Sequence, residues 1–313
     1  MDTSPSPFHA DELAAQTRAG TGSRFGAGIR SFMPDQHRSF FELLRYVFVG
    51  TADAEGWPLA TMLAGTPGFV YSPDPVTLRV DALPGGNDPA AATLGDGREV
   101  AILGLDLSTR RRNRANGSIA SLDDGGFTVA VRQSFGNCAK YIQRRAPHRV
   151  PPAPGGVDVL DGLDAQARAL IAQADTLFVA SRSGPEISAA GGLDVSHRGG
   201  RPGFVRVDGD TLIIPDFAGN RFYNTLGNFL GEPRGALLFV DFESGDLLQL
   251  QGLATVDWSP DAAQPVAGAE RAWHFVVTHG WRRRAVIPFR WSFLDYSPAT
   301  LGTGTWDGAE RCV

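Results

Sequence analysis

The stretch Gly203–Phe217, GFVRVDGDTLIIPDF, has a counterpart in Gly68–Ala82, GFVYSPDPVTLRVDA. Both open on Gly-Phe-Val, pass through a turn rich in Asp with Gly or Pro, and continue as a strand-length apolar run. Each then leads through a short helical segment, DPAAATLGDG in one case and RFYNTLGNFLGEP in the other, to a pair of long strands. These pairs are Arg98–Asp123, REVAILGLDLSTRRRNRANGSIASLD, and Pro233–Trp258, PRGALLFVDFESGDLLQLQGLATVDW; the aspartates of GLDL and FVDF match, as do the glycines of ANGSIA and LQGLAT. Ahead of each Gly-Phe-Val, FFELLRYVFVGTAD reads as a helix passing into a strand, and LDAQARALIAQA as a helix before the strand TLFVASR. One plan of helix, strands, helix and paired long strands therefore occurs twice.

This reading predicts a mainly β chain with short helices, built of two repeats that pack as a pseudo-dimer. The boundaries are an N-terminal arm (1–39) outside the core, a first repeat (40–145), a connection (146–163) and a second repeat with a C-terminal extension (164–313). The Pro/Gly-rich RRAPHRVPPAPGGVDVLDG marks the connection as exposed and poor in secondary structure.

The 313 residues are 42% hydrophobic, enough for a sizeable core, and the net charge of −5 argues against a polyanion such as nucleic acid as the main partner. Arginine carries nearly all the positive charge. The two cysteines, Cys138 and Cys312, have neither CxxC nor Cys/His spacing, so no zinc site or disulfide framework is indicated. The start MDTSPSPFHADELAAQ lacks a basic n-region and an apolar h-region, and no uncharged apolar run is long enough to span a bilayer, which predicts a cytoplasmic protein.

The repeats differ in chemistry. Ser196, His197, Arg198 and Arg201 precede the second Gly-Phe-Val, where the first repeat has the uncharged ATMLAGTPGFV. Guanidinium forks, a hydroxyl and glycine N–H groups make a donor set for a phosphate or a ring edge. A solvated loop with two surface arginines is the competing reading. HRGGR is neither GxxxxGK[ST] nor GxGxxG after a strand, so the nucleotide-fold phosphate loops are not indicated. Arg110, Arg111, Arg112 and Arg114 read as a solvated hairpin, because adjacent like charges repel. The sequence also has no GxSxG, and its histidines lack the i, i+4 spacing of a helical metal pair.

At MPDQHRSFF, AGTPGFVYSPDP, TRRRNRANG, QSFGNCAKYIQRR, DVSHRGGRPGFV and DFAGNRFYNTLGNFLGEPRGALLFVDFESGDLLQLQG, the sequence resembles the pyridoxamine 5'-phosphate oxidase-like family of FMN-binding split barrels, in its larger flavoprotein-like branch. The resemblance implies small antiparallel barrels with FMN between two of them, and a flavin phosphate held by Arg, Lys, Ser or Thr. Carried over, it marks Ser196, His197, Arg198 and Arg201 on the strand beside the flavin, and Asp216, Asn220, Asn224 and Thr225 around the following strand end and helix. It also marks Gln249 on a strand approaching the flavin, and Gln133, Ser134, Lys140 and Tyr141 as completing the pocket from the other repeat. The helix departs from the oxidase pattern: Tyr223, Asn224 and Thr225 replace Ser-Arg-Lys, shifting the phosphate onto Arg198, Arg201 and Arg221. The implied function is an FMN-dependent oxidoreductase acting on a small substrate, with NAD(P)H or a reductase protein as partner and a homodimer as its assembly. A non-catalytic flavin- or haem-binding carrier is the alternative. No catalytic side chain is marked, although His197 is the one cluster residue whose ordinary pKa lies near neutrality. Trp281 and Trp291 in the aromatic tail are expected at dimer or barrel-closing contacts.

Overall fold

The computed structural model describes residues 6–21, 28–151, 153, 155–184, 190–259 and 261–306; Cys312 lies outside the described residues. Seven strands, β1 (Tyr46–Ala52), β2 (Pro58–Ala64), β3 (Val70–Asp74), β4 (Thr77–Val80), β5 (Glu99–Asp106), β6 (Arg111–Asp123) and β7 (Gly126–Gly136), form one antiparallel sheet in the order β2-β1-β5-β6-β7-β4-β3. After β8 (Arg144–Arg149) and β9 (Val157–Leu160) come β10 (Thr176–Arg182), β11 (Leu193–Gly199), β12 (Arg206–Asp208), β13 (Thr211–Phe217), β14 (Arg234–Val240), β15 (Leu247–Asp257) and β16 (Ala269–Arg283). Their order, β11-β10-β14-β15-β16-β13-β12, is the first order repeated strand for strand, with β9 added beside β16. β17 (Phe289–Asp295) pairs with β8 in a separate ribbon. The helices are short: α1 (Ala10–Arg18), α2 (Asp35–Glu42), α3 (Ala165–Gln173), α4 (Asn224–Gly231), α5 (Pro298–Leu301) and a 3-10 turn, Pro89–Thr93. None among the described residues is long and apolar enough to cross a membrane.

The sequence matches between the repeats have physical causes. Gly117 and Gly252 each sit at a bulge, between β6 and β7 and between β15 and β16. A Cβ there would lie 2.0 Å from the Ala130 oxygen in one case and 2.3 Å from the Val276 oxygen in the other. Backbone runs where a side chain would stand, so both positions need glycine. The glycines of the two Gly-Phe-Val turns, Gly68 and Gly203, have φ of +93° and +86°.

Alternation along the strands builds three cores. Val47 and Val49 of β1 face a core under the first sheet, and Leu177 and Val179 of β10 face one under the second. The intervening residues, Tyr46 and Phe48 on β1, Phe178 and Ala180 on β10, enter a third core shared by both sheets. Such strands are buried on both faces, which is why they read as unbroken apolar runs. Phe48 and Phe178 stack at the centre with ring centroids 3.5 Å apart. Contacts across this core are reciprocal: β11 lies on β5 and β14 on β2, while β1 meets β11 and β10 meets β2. Each fully buried phenylalanine contributes about 1.5–3 kcal/mol, so the shared core joins the halves firmly.

Two expectations change, and the one for Trp291 holds. The arm is part of the packed body: Phe8 packs edge-on against Phe222, and Glu12, Ala15 and Gln16 of α1 are buried. The connection carries secondary structure, because β8 is claimed by β17 and β9 by β16. In the tail, Trp291 closes the shared core against Tyr46, Phe242 and Phe289.

Candidate functional site

A cleft opens where the sheets meet. Its walls are β6 and residues 137–141 from the first half, and β11, the end of β13, residues 219–223 and the start of α4 from the second. Arg112 and Arg114 are two apart on β6 and so project to the same side of the strand, while Arg111 and Asn113 project to the other. Arg110 is drawn away to Asp295 and the Ile142 carbonyl. The arginine run is therefore not a solvated hairpin: alternation sends Arg111 to the opposite side from Arg112 and Arg114, and Arg114 is buried.

Arg114 donates to the Ser196 hydroxyl and reaches Asp194 Oδ1 at 3.4 Å, and the Thr225 hydroxyl donates to Ser196 at 3.1 Å. Asp194 also accepts from Asn116 at 2.7 Å. Asp216 clamps two arginines at 2.8 Å each, Arg198 on one oxygen and Arg271 on the other. Arg112 makes no ion pair among the described residues, although it lines the cleft. Buried polar atoms remain without partners: Nε of Arg112, Arg114 and Arg198, Nε2 of His197 and Oδ1 of Asn137. These five atoms belong to residues that line the same cleft.

The electrostatics follow. Burial, and then Arg114 beside it, brings Arg112 down to about 10. Burial also lowers Arg114, with Asp194 opposing. His197 is held well below its ordinary value, first by burial and then by Arg112 and Arg198, so it is neutral at neutral pH and carries no second proton to give. Behind the cleft, Glu12 on α1 accepts from Asn224 and from the His9 amide; burial, and then nearby Asp194, raises it to about 8.

The backbone is also unusual here. Of the five non-glycine residues with positive φ among the described residues, Tyr141, Arg221 and Tyr223 line this cleft. Each costs on the order of 1–3 kcal/mol and persists only where surrounding packing dictates it.

The cleft thus gathers Ser196, His197, Arg198, Asp216, Asn220, Asn224, Thr225, Lys140 and Tyr141. Four other sequence candidates have partners elsewhere. Arg201, in the turn after β11, donates to the carbonyls of Thr300 and Leu301. Gln133 donates to the Pro7 and Ala190 carbonyls, and Ser134 meets His37 Nδ1 at 2.9 Å. Gln249 donates to the Ala60 carbonyl and to Asp88, across the molecule. Its strand is the counterpart of β6, and the reciprocal packing sends it to the opposite side. Sequence reasoning missed Arg112, Arg114, Asn137 and Cys138; the i, i+2 spacing within RRRNR was the available signal.

No protein-family model matches the sequence, and no curated protein matches it. Among solved structures, HupZ of Group A Streptococcus is 15% identical, with 38% of this chain and 98% of that chain covered at a TM-score of 0.30. A putative 5-nitroimidazole antibiotic resistance protein from Bacteroides thetaiotaomicron is 12% identical over 47% of this chain and 95% of its own, TM-score 0.27. A FAD-binding protein from Mesorhizobium loti is 10% identical over 41% and 97%, TM-score 0.26.

Proposed function

We propose that this chain is an FMN-binding oxidoreductase in which two split-barrel-like repeats form a pseudo-dimer, with one flavin site in the basic cleft between them. The observation that carries the reading is the convergence of Arg112, Arg114 and Arg198 on a cleft lined from both repeats, with Arg112 in no ion pair among the described residues. Guanidinium groups lacking a full complement of acceptors suit a phosphate, which accepts several charge-assisted hydrogen bonds at once. The residues fit the anionic end of the cofactor: water-sized molecules can occupy about 80 Å³ here, well below the roughly 300–1,000 Å³ of pockets that engulf a whole drug-sized ligand. Tyr141, Phe217 and Tyr223 line the same cleft and would offer aromatic surface to a flavin ring.

When bound, FMN supplies hydride or electron transfer through its isoalloxazine. The chain's own part is to hold the phosphate with Arg112, Arg114 and Arg198, to orient Arg114 through Ser196 and Asp194, and to keep a neutral imidazole, His197, as a hydrogen-bonding group. The substrate is a small molecule, the electron source NAD(P)H or a separate reductase, and the assembly a homodimer.

The test is the visible spectrum of the purified protein, repeated after saturation with FMN and desalting. Flavin bands that survive desalting, and are lost in an Arg112→Ala, Arg198→Ala double variant, support the reading. Unretained FMN overturns it, and a Soret band after haem titration would replace it with the carrier.

A further inference from the structure

The repeated strand order supplies every wall of the cleft twice. On β2, Thr61 pairs with Val49 as Ser196 on β11 pairs with Val179. On β15, Gln249 stands opposite Leu238 as Arg114 on β6 stands opposite Leu103. Arg283, at the end of β16, takes the place of Asn137 beyond the end of β7. The 3-10 turn Pro89–Thr93 occupies the place of α4, and Asp88 precedes it as Tyr223 precedes α4.

This counterpart is closed by the chain itself. Asp88 is 4% exposed. One carboxylate oxygen accepts from Arg283 Nη1 at 2.6 Å and from the Thr61 hydroxyl; the other accepts from Gln249 Nε2 at 3.1 Å and the Ala90 amide at 3.0 Å. Donors from three strands and a turn meet on one negative charge. Two buried atoms of the same group, Arg283 Nε and Gln249 Oε1, still lack partners, so the carboxylate leaves the cluster incompletely satisfied. A cleft open to solvent runs past Asp88 and Arg283, with Met62, Leu83, Val286 and Ile287 on its walls.

We propose that Asp88 is a resident anion in the second copy of the basic cleft, and that without its carboxylate this copy is a binding site for a tetrahedral oxyanion of the phosphate class, centred on Arg283. This goes beyond the flavin reading and does not depend on it, since it concerns different residues and a ligand without a ring.

The experiment follows thermal unfolding of the full chain and of Asp88→Gly in rising inorganic phosphate, with Asp88→Gly, Arg283→Met as the control. Asp88→Gly leaves Arg283 buried without its partner, and phosphate should raise its Tm by about 4 °C or more beyond any rise in the native chain, a shift expected when the ligand is far above its Kd. The control should lose this extra rise and keep whatever the open cleft contributes. If Asp88→Gly folds poorly, refolding yield with and without phosphate, alongside the milder Asp88→Asn, reads the same property. Equal phosphate responses in the native chain and both Asp88 variants, or an extra response that survives in the control, would overturn the proposal. Neither result bears on whether FMN is retained.

Discussion

The two clefts are built on one framework and handle charge in opposite ways. At Asp88 the chain provides its own anion, and Arg283 is paired at 2.6 Å. At the open cleft Arg198 and Arg114 are paired with Asp216 and Asp194, but Arg112 lines the wall with no ion pair among the described residues. Where the arginine has a buried carboxylate, removing either partner strands the other; where an arginine has none, its guanidinium is held against its own desolvation. The difference rests on few positions, chiefly Thr61 against Ser196, Gln249 against Arg114 and Asp88 against Tyr223.

The comparison is broken most directly by removing one arginine from each side. Arg283→Ala should destabilise the fold by about 3–5 kcal/mol, because it strands a buried carboxylate. Arg112→Ala should cost nothing or stabilise the unliganded chain by about 1 kcal/mol, while weakening FMN roughly 10- to 100-fold through the loss of a charge-assisted contact. Urea unfolding and a flavin fluorescence titration separate the two; equal destabilisation by both substitutions would end the distinction.

Tyr223→Asp sharpens it from the other direction by placing a carboxylate where the closed cleft has one. Tyr223 has a φ of +59°, a conformation Asp tolerates better than a bulky residue does. Binding of FMN should fall about tenfold or more, the worth of one lost charge-assisted contact, with Tm unchanged or higher. Unaltered binding would show that the position does not face the anion.

A smaller effect comes from Glu12. Its carboxyl is raised from 4.5 in the unfolded chain to about 8 by burial and by Asp194, so the folded state prefers the protonated form. That contribution is full below pH 4.5 and is lost as pH rises toward and through about 8. Glu12→Gln, which mimics the protonated acid, should flatten the fall in Tm over this window by a few degrees. A Tm profile parallel to that of the native chain would remove Glu12 from the account.

Much of this was legible in the sequence, and the failures share one cause. Period-2 runs and turn residues mark the strands, and the matched glycines at 117 and 252 report a bulge in each half. The SHR triplet on β11 does line the cleft. A strand's own pattern, however, does not say which strand of the other sheet will face it. The family resemblance groups Gln249 with Ser196, whereas reciprocal packing puts Arg114 beside Ser196 and Gln249 beside Asp88. The same blindness to partners makes the β6 arginines look solvent-facing, and β8 and β9 look like a bare connection when β17 and β16 pair with them.

The joining of both halves in one chain, through β8 and β9, has a consequence for how such a site can change. In a pair of identical chains every substitution is made twice, so an aspartate that fills one cleft fills both. Once the halves are covalently distinct, a change can be confined to one of them. Asp88 could strengthen one side of the molecule because Tyr223, on the other side, was free to remain something else.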